Sequence, residues 1–250
     1  MTFRFRPALT IATLIALAIL VSLGTWQLRR LEWKRDLIAQ VEARVDAAPI
    51  PYDEALRLRE SDPDTDFSYT PVELEGRYAH NLEAHVFGTL NGEAGYYVFT
   101  PLRIDRTTDA GDVYVYVNRG FAPQRRKGRE TRDDGLPEGE VVVRGLLRET
   151  EPLDLGMADF FRPENDREAN IWHERRTARF ADDADIVATP DWYVDSFGVE
   201  NPGEWPKGGA TRLEFSNRHF EYALTWFGLA AALLSVYGFY SFGRKDASGD

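Results

Sequence analysis

Two long runs without a charged residue, Ala8 to Leu28 and Tyr222 to Gly243, bracket a strongly polar middle. Each holds the roughly 20 apolar residues that a helix needs to cross the hydrocarbon core of a bilayer. Between them the hydrophobic pattern changes twice. Leu31, Leu37, Ile38, Val41 and Val45 recur near helical spacing among charges, which predicts that the first helix continues to about Asp46, where Ala47-Ala48-Pro49-Ile50-Pro51 stops it. Asp53 to Leu58 predicts a short second helix, and Ser61 to Asp66 an exposed acidic loop. From Tyr69 the period becomes that of strands. Val72 to Gly76 alternates, Gly95 to Leu102 and Val113 to Val117 are β-branched and aromatic, and Glu140 to Gly145 follows. Leu153 to Asp185 reads as charged and irregular, interrupted by Pro163, with a last strand at Trp192 to Asp195. Asn201 to Gly209 reads as a Pro-Gly linker back to the second apolar run.

These elements predict an α+β membrane protein: two transmembrane helices flanking an extracytoplasmic antiparallel β-rich domain, either a sheet or a small barrel. The expected boundaries are a cytoplasmic tail at 1–7, spans at 8–28 and 222–243, a domain at 29–221 and a second tail at 244–250. Small residues four apart (Ala8, Ala12 and Ala16; Gly228 and Ala232; Ala231 and Ser235) offer faces on which the helices could pack against each other or a partner.

Charge sharpens the topology. The chain carries 30 basic and 41 acidic residues; four basics and two acids lie outside the central domain, which leaves it 26 and 39, a net charge of -13. Such a domain is repelled by nucleic acid and by anionic head groups, so no nucleic-acid partner is expected. The mean hydropathy of -0.41 averages two very apolar ends with a polar middle. Arg4 and Arg6 before the first run also fit a cleavable signal peptide. The apolar character continues through Trp26 and Leu28, however, and the following Arg29, Arg30, Trp33, Lys34 and Arg35 favour an uncleaved interfacial anchor. Both tails are basic near the membrane, through Arg4 and Arg6 and through Arg244 and Lys245, which places both termini in the cytoplasm and the domain outside. The chain has no cysteine, which excludes disulfides, thiolate metal sites and cysteine nucleophiles.

With both runs crossing the membrane, the end of the first and the start of the second meet at one surface. Trp26, Arg30 and Trp33 fall at i, i+4 and i+7 on one helix face, beside Lys34. This suits an aromatic belt with snorkelling basics, or a cation-π platform that holds an anionic group. Asn217 and Arg218 precede His219, Tyr222 and Trp226, which again share a face. An imidazole here suits an axial iron ligand, walled by aromatics, with Arg218, Arg30 or Lys34 within reach of propionates; a solvated interfacial histidine is the alternative. His80 and His85, five apart, point to opposite faces of one strand unless Asn81-Leu82 turns, and His173 has no partner at ligand spacing. The sequence holds no hydrolase elbow, no His-Glu-x-x-His and no phosphate-binding glycine loop.

Several of these segments resemble one family. Leu23-Gly24-Thr25-Trp26-Gln27-Leu28-Arg29-Arg30-Leu31-Glu32-Trp33-Lys34 resembles the first-span signature LGxWQxxRxxWK of the Surfeit-locus family of cytochrome c oxidase assembly factors. Gly95 to Leu102, and Val117 to Pro123 with Phe121 where tryptophan is frequent, resemble its central strand-and-turn motifs. Phe161 to Asp166 with Asn170 and Trp172 resembles a third, and Asn217 to Trp226 the start of its second span. The resemblance extends in order from about Leu23 to Leu234.

The resemblance implies a non-enzymatic chaperone of the respiratory chain that binds haem a transiently and assists its insertion into subunit I of cytochrome c oxidase. His219 stands at the position of the proposed iron ligand; haem a synthase and membrane lipid are further implied partners. With no transit segment ahead of the first span, a bacterial plasma membrane is the expected location. The rival expectation is a haem-free scaffold that stabilises an oxidase intermediate, with Val117 to Pro123 as a docking turn. An anchored periplasmic enzyme would need paired catalytic groups that no spacing supplies.

Overall fold

In chain order the elements are β1 (Thr2–Phe3), α1 (Pro7–Val45), β2 (Ile50–Pro51), α2 (Tyr52–Ser61), β3 (Pro71–Tyr78), β4 (Ala84–Leu90), β5 (Glu93–Thr108) and β6 (Gly111–Pro123), then β7 (Val141–Glu149), α3 (Thr177–Ala184), β8 (Val187–Ser196), α4 (His219–Ser241) and β9 (Phe242–Gly243). The computed structural model describes residues 2–3, 6–63, 65–109, 111–150, 162–209 and 218–243. Arg4, Phe161, Asn217, Arg244 and Lys245, and the start of the Leu153 to Asp185 stretch, lie outside the described residues. The chain divides into two units: Met1–Gln40 with Glu214–Asp250, and Val41–Leu213.

In the larger unit five strands close into a ring. β3 pairs with β7, β7 with β8 and β5 with β6, all antiparallel, while β6 runs parallel to β8. A short antiparallel pairing of β3 with β5, Arg77 opposite Arg103 and Tyr78 opposite Leu102, completes the ring. Gly76 permits that closure, because a Cβ there would sit 2.3 Å from the Arg103 carbonyl oxygen. β4 pairs with the first half of β5 outside the ring, and β2 adds parallel to β3.

The β domain is thus a closed barrel rather than an open sheet, and not wholly antiparallel. β6 and β8 are parallel because the chain between them first lays down β7 and then returns through α3, the long crossover that parallel neighbours require.

Alternation along the strands sorts the core into two clusters. Val72, Leu74, Leu102, Ile104, Val113, Val115, Val117, Val143, Leu147 and Val194, drawn from all five ring strands, fill the interior, closed by Tyr52 and Ala55 of α2. The opposite faces of β5, β6 and β8 contribute Phe99, Tyr116 and Tyr193 to a second cluster with Trp172, Phe180 and Ala181. This second layer explains why β5 and β6 read as continuous apolar runs: they are covered on both faces. It also corrects the irregular reading of Leu153 to Asp185. Thr177, Phe180 and Ala181, at i, i+3 and i+4, form the buried face of an α-helix.

Two further expectations change. Val117 to Pro123 is buried along its whole length, so it is no docking turn. Gly120 has φ +120°, and a Cβ would fall 1.9 Å from the Lys207 carbonyl oxygen, while the Phe121 and Lys207 backbones exchange hydrogen bonds of 3.1 and 2.8 Å. The segment expected to be a linker is therefore seated on the barrel, held also by Asn201.

In the smaller unit α1 and α4 lie antiparallel. β1 pairs with β9, Thr10 Oγ1 lies 2.8 Å from the Tyr237 hydroxyl, and the Phe227 ring packs on Gly24 so closely that a Cβ would come within 2.7 Å of it. Buried or half-buried positions on α1 include Thr13, Leu17, Leu20, Gly24 and Gln27; on α4 they include His219, Ala223, Trp226, Ala230, Leu233 and Tyr237. Both series step alternately by four and three, the 3.5-residue seam of a coiled coil. Gly228, Ala231, Ala232 and Ser235 are exposed, so the small-residue faces expected on α4 do not meet α1 and stay open to a partner. Only 11% of each apolar stretch is buried, which leaves Ile11, Leu14, Ile15, Leu229, Val236 and Phe239 open. Two such helices are long and apolar enough to cross a membrane.

Candidate functional site

His219 opens α4, and its Nδ1 lies 2.8 Å from Gln27 Oε1, 192 positions earlier in the chain. The amide oxygen only accepts, so the imidazole donates from Nδ1, and in its neutral form carries a lone pair on Nε2. No hydrogen-bond partner of Nε2 occurs among the described residues. Gln27 itself interrupts an apolar stretch, where an unpartnered amide would be costly; the imidazole satisfies it.

The other predicted residues divide by position. Trp226 is half-buried beside the seam, whereas Tyr222 and Trp26 are exposed on the flanks, at 51% and 56%. The Arg30 guanidinium stacks 3.8 Å over the Trp33 ring, one turn beyond Gln27, and Lys34 is half-buried another turn on. Arg218, expected to reach a propionate, is instead paired with Glu221 through Nε at 3.0 Å and a second guanidinium nitrogen at 2.9 Å. The structure therefore joins His219 to the first helix through Gln27, which sequence reasoning had quoted only inside a motif. The barrel unit carries a cavity of about 560 Å³ beside Tyr52 and Asp53, which His219 does not line.

The barrel unit also holds a buried polar cluster that the strand pattern did not predict. A 3₁₀ turn at His80–Leu82 delivers Glu83, almost fully buried, between two guanidiniums. Arg132 clasps its carboxylate with both terminal nitrogens, and Arg119 approaches at 3.7 Å. His80 Nδ1 and His85 Nε2 stand 3.7 and 3.6 Å from the same carboxylate, on either side of the turn. The turn, rather than one continuous strand, therefore brings the two histidines together.

They do not form a metal site; no group of three suitable ligands occurs among the described residues. Burial alone pushes the Glu83 carboxyl up, but the adjacent His80 and His85 rings and the Arg132 guanidinium outweigh it and hold the group well below the usual carboxylate range. Arg119 also donates to the Gly135 carbonyl and to Asn201 Oδ1 at 2.6 Å. Asn170, held in a left-handed turn, donates to the Glu83 carbonyl at 2.6 Å and accepts from the Trp172 indole at 3.0 Å. A second buried knot joins Asn118 to Asp195 at 2.7 Å and Arg148 to Asp195 at 3.0 Å. Asn118, Arg119, Asn170 and Trp172, all within the motif segments, thus lock distant loops to one end of the barrel. Their role in these contacts is structural.

Comparison with known proteins bears on the whole chain. A model of the SURF1 family matches residues 14–231. Surfeit locus protein 1 of Homo sapiens is 36% identical over 228 residues, covering 84% of this chain and 70% of its own. The Rattus norvegicus protein of that name is 36% identical over 231 residues, covering 84% and 68%. A SURF1-like protein of Monosiga brevicollis is 31% identical over 228 residues, covering 87% and 81%.

Proposed function

Because this chain belongs to the SURF1 family, membership of which implies a role in cytochrome c oxidase assembly, we propose that it is a membrane-bound, non-enzymatic haem a carrier serving subunit I of that oxidase. The supporting observation is the His219 imidazole, tied at Nδ1 and with no partner at Nε2 among the described residues, at one end of an apolar helix pair. An imidazole so held fits an iron centre as a single axial ligand.

When bound, haem a would supply only its iron and its apolar, propionate-bearing macrocycle. The chain's own residues do the rest. Gln27 orients the imidazole, Trp226 and the outward Tyr222 and Trp26 offer aromatic cover, and Arg30 and Lys34 present positive charge. Arg218 would have to leave Glu221 to take part. A single neutral imidazole suits transient holding, because a carrier must bind more weakly than the site it fills. In this reading α1 and α4 cross a bacterial plasma membrane with both termini in the cytoplasm and the barrel outside. Haem a synthase is the donor and subunit I the acceptor.

The apolar helix flanks left open to a partner favour a second reading, a haem-free scaffold that stabilises an oxidase intermediate. The two separate in one experiment. Protein purified from cells that make haem a is expected to carry a haem absorbance that is lost in His219→Ala; a haem-free wild type that still co-purifies with subunit I would establish the scaffold instead.

A further inference from the structure

We infer that Gln27 is a positioning residue for His219: it fixes the imidazole tautomer that presents Nε2 and, as an amide, keeps that nitrogen a weak and releasable ligand. This rests on the haem-carrying reading above. Gln27 sits within the seam of α1 and α4, one step of three beyond Gly24, where the Phe227 ring holds the helices in register. Its side chain is half-buried, and its oxygen takes the Nδ1 proton at 2.8 Å.

Two consequences follow from the chemistry of the acceptor. A fixed Nδ1 donor stops the ring from turning and from moving its proton to Nε2, so the ligating lone pair is present before any metal arrives. A carboxylate in the same place would draw the proton further and push electron density onto Nε2, tightening an iron bond. An uncharged amide orients the ring without that push. A carrier needs this combination of defined geometry and modest donor strength, whereas a resident cofactor site gains from the carboxylate.

The first test needs no haem. In full-length protein in detergent micelles, nitrogen-15 NMR of labelled histidine, with the His219 signals assigned by difference against His219→Ala, is expected to show a neutral ring protonated at Nδ1. Gln27→Leu should lose that preference and Gln27→Glu should retain it. A wild-type proton on Nε2, or a Gln27→Leu spectrum unchanged from wild type, overturns the inference.

The second test uses ferric protoporphyrin IX as probe. Relative to wild type, Gln27→Leu should release it faster and Gln27→Glu more slowly, each on the order of 10-fold. Identical release from all three, with binding still dependent on His219, overturns the tuning role. Equal binding by wild type and His219→Ala overturns the haem-carrying reading and leaves the tautomer result standing.

Discussion

The barrel and the helix pair solve opposite problems. In the barrel every strand of the ring is paired, and two buried carboxylates are matched: Glu83 by Arg132 and Arg119, Asp195 by Asn118 and Arg148. The helix pair meets along one seam and leaves most of its apolar surface open. A unit closed on itself is suited to be a fixed body. One whose flanks are unsatisfied in water depends on lipid or a partner to cover them. At one end of that seam His219 is bonded to Gln27, the polar contact on which the carrier reading rests.

The largest expected effect breaks the barrel side of this contrast. Glu83→Gln leaves the buried Arg132 without its counter-charge, so the barrel should lose about 3–5 kcal/mol, or roughly 10 °C in melting temperature, with haem content per folded molecule unchanged. The loss is pH-dependent. The folded Glu83 carboxyl titrates below its unfolded value near about 4.3, so its contribution is complete above pH of about 5 and drains away as pH falls through the acid range. The gap between wild type and variant melting should therefore narrow steadily as pH falls below about 5; a gap that stays constant would remove Glu83 as the titrating group.

Next in size, Gly120→Ala forces a side chain into a left-handed backbone against the Lys207 carbonyl oxygen. It should cost about 1–3 kcal/mol and raise proteolysis near Lys207, since it unseats that segment. Protection unchanged from wild type would mean that the segment is not held at Gly120.

A smaller effect sharpens the helix side. Gly24→Leu must displace Phe227, which should lower reagent cross-linking between cysteines introduced for Thr10 and Tyr237, in a chain with no cysteine of its own. Phe227→Ala in the same protein should restore part of the yield, and the barrel's melting temperature should move by less than about 0.5 kcal/mol equivalent.

The strands with β-branched runs were legible in the sequence, because period-two alternation is a local signal. β4 was not, since Ala84, His85 and Gly88 dilute its pattern, and its place is fixed by pairing with β5. α3 was hidden by the charges around its three buried residues. The seam of α1 and α4 could not be seen because an all-apolar helix has no contrasting face to mark it. Ring closure through Arg77 and Arg103, the Glu83 to Arg132 clasp and the Gln27 to His219 bond each join residues far apart in sequence. Spacing carries no trace of such contacts. What the sequence did disclose was that the end of the first apolar run and the start of the second belong together; the part Gln27 plays there emerged only from the structure.

The carrier account is tested most directly by ligand replacement. His219→Gly protein, purified from cells that make haem a, should be depleted of haem and should regain it when imidazole is supplied in the membrane extract, because the exogenous ring replaces the missing one. Haem retained by His219→Gly without imidazole, or a wild type that carries none, would contradict the claim that His219 holds the cofactor.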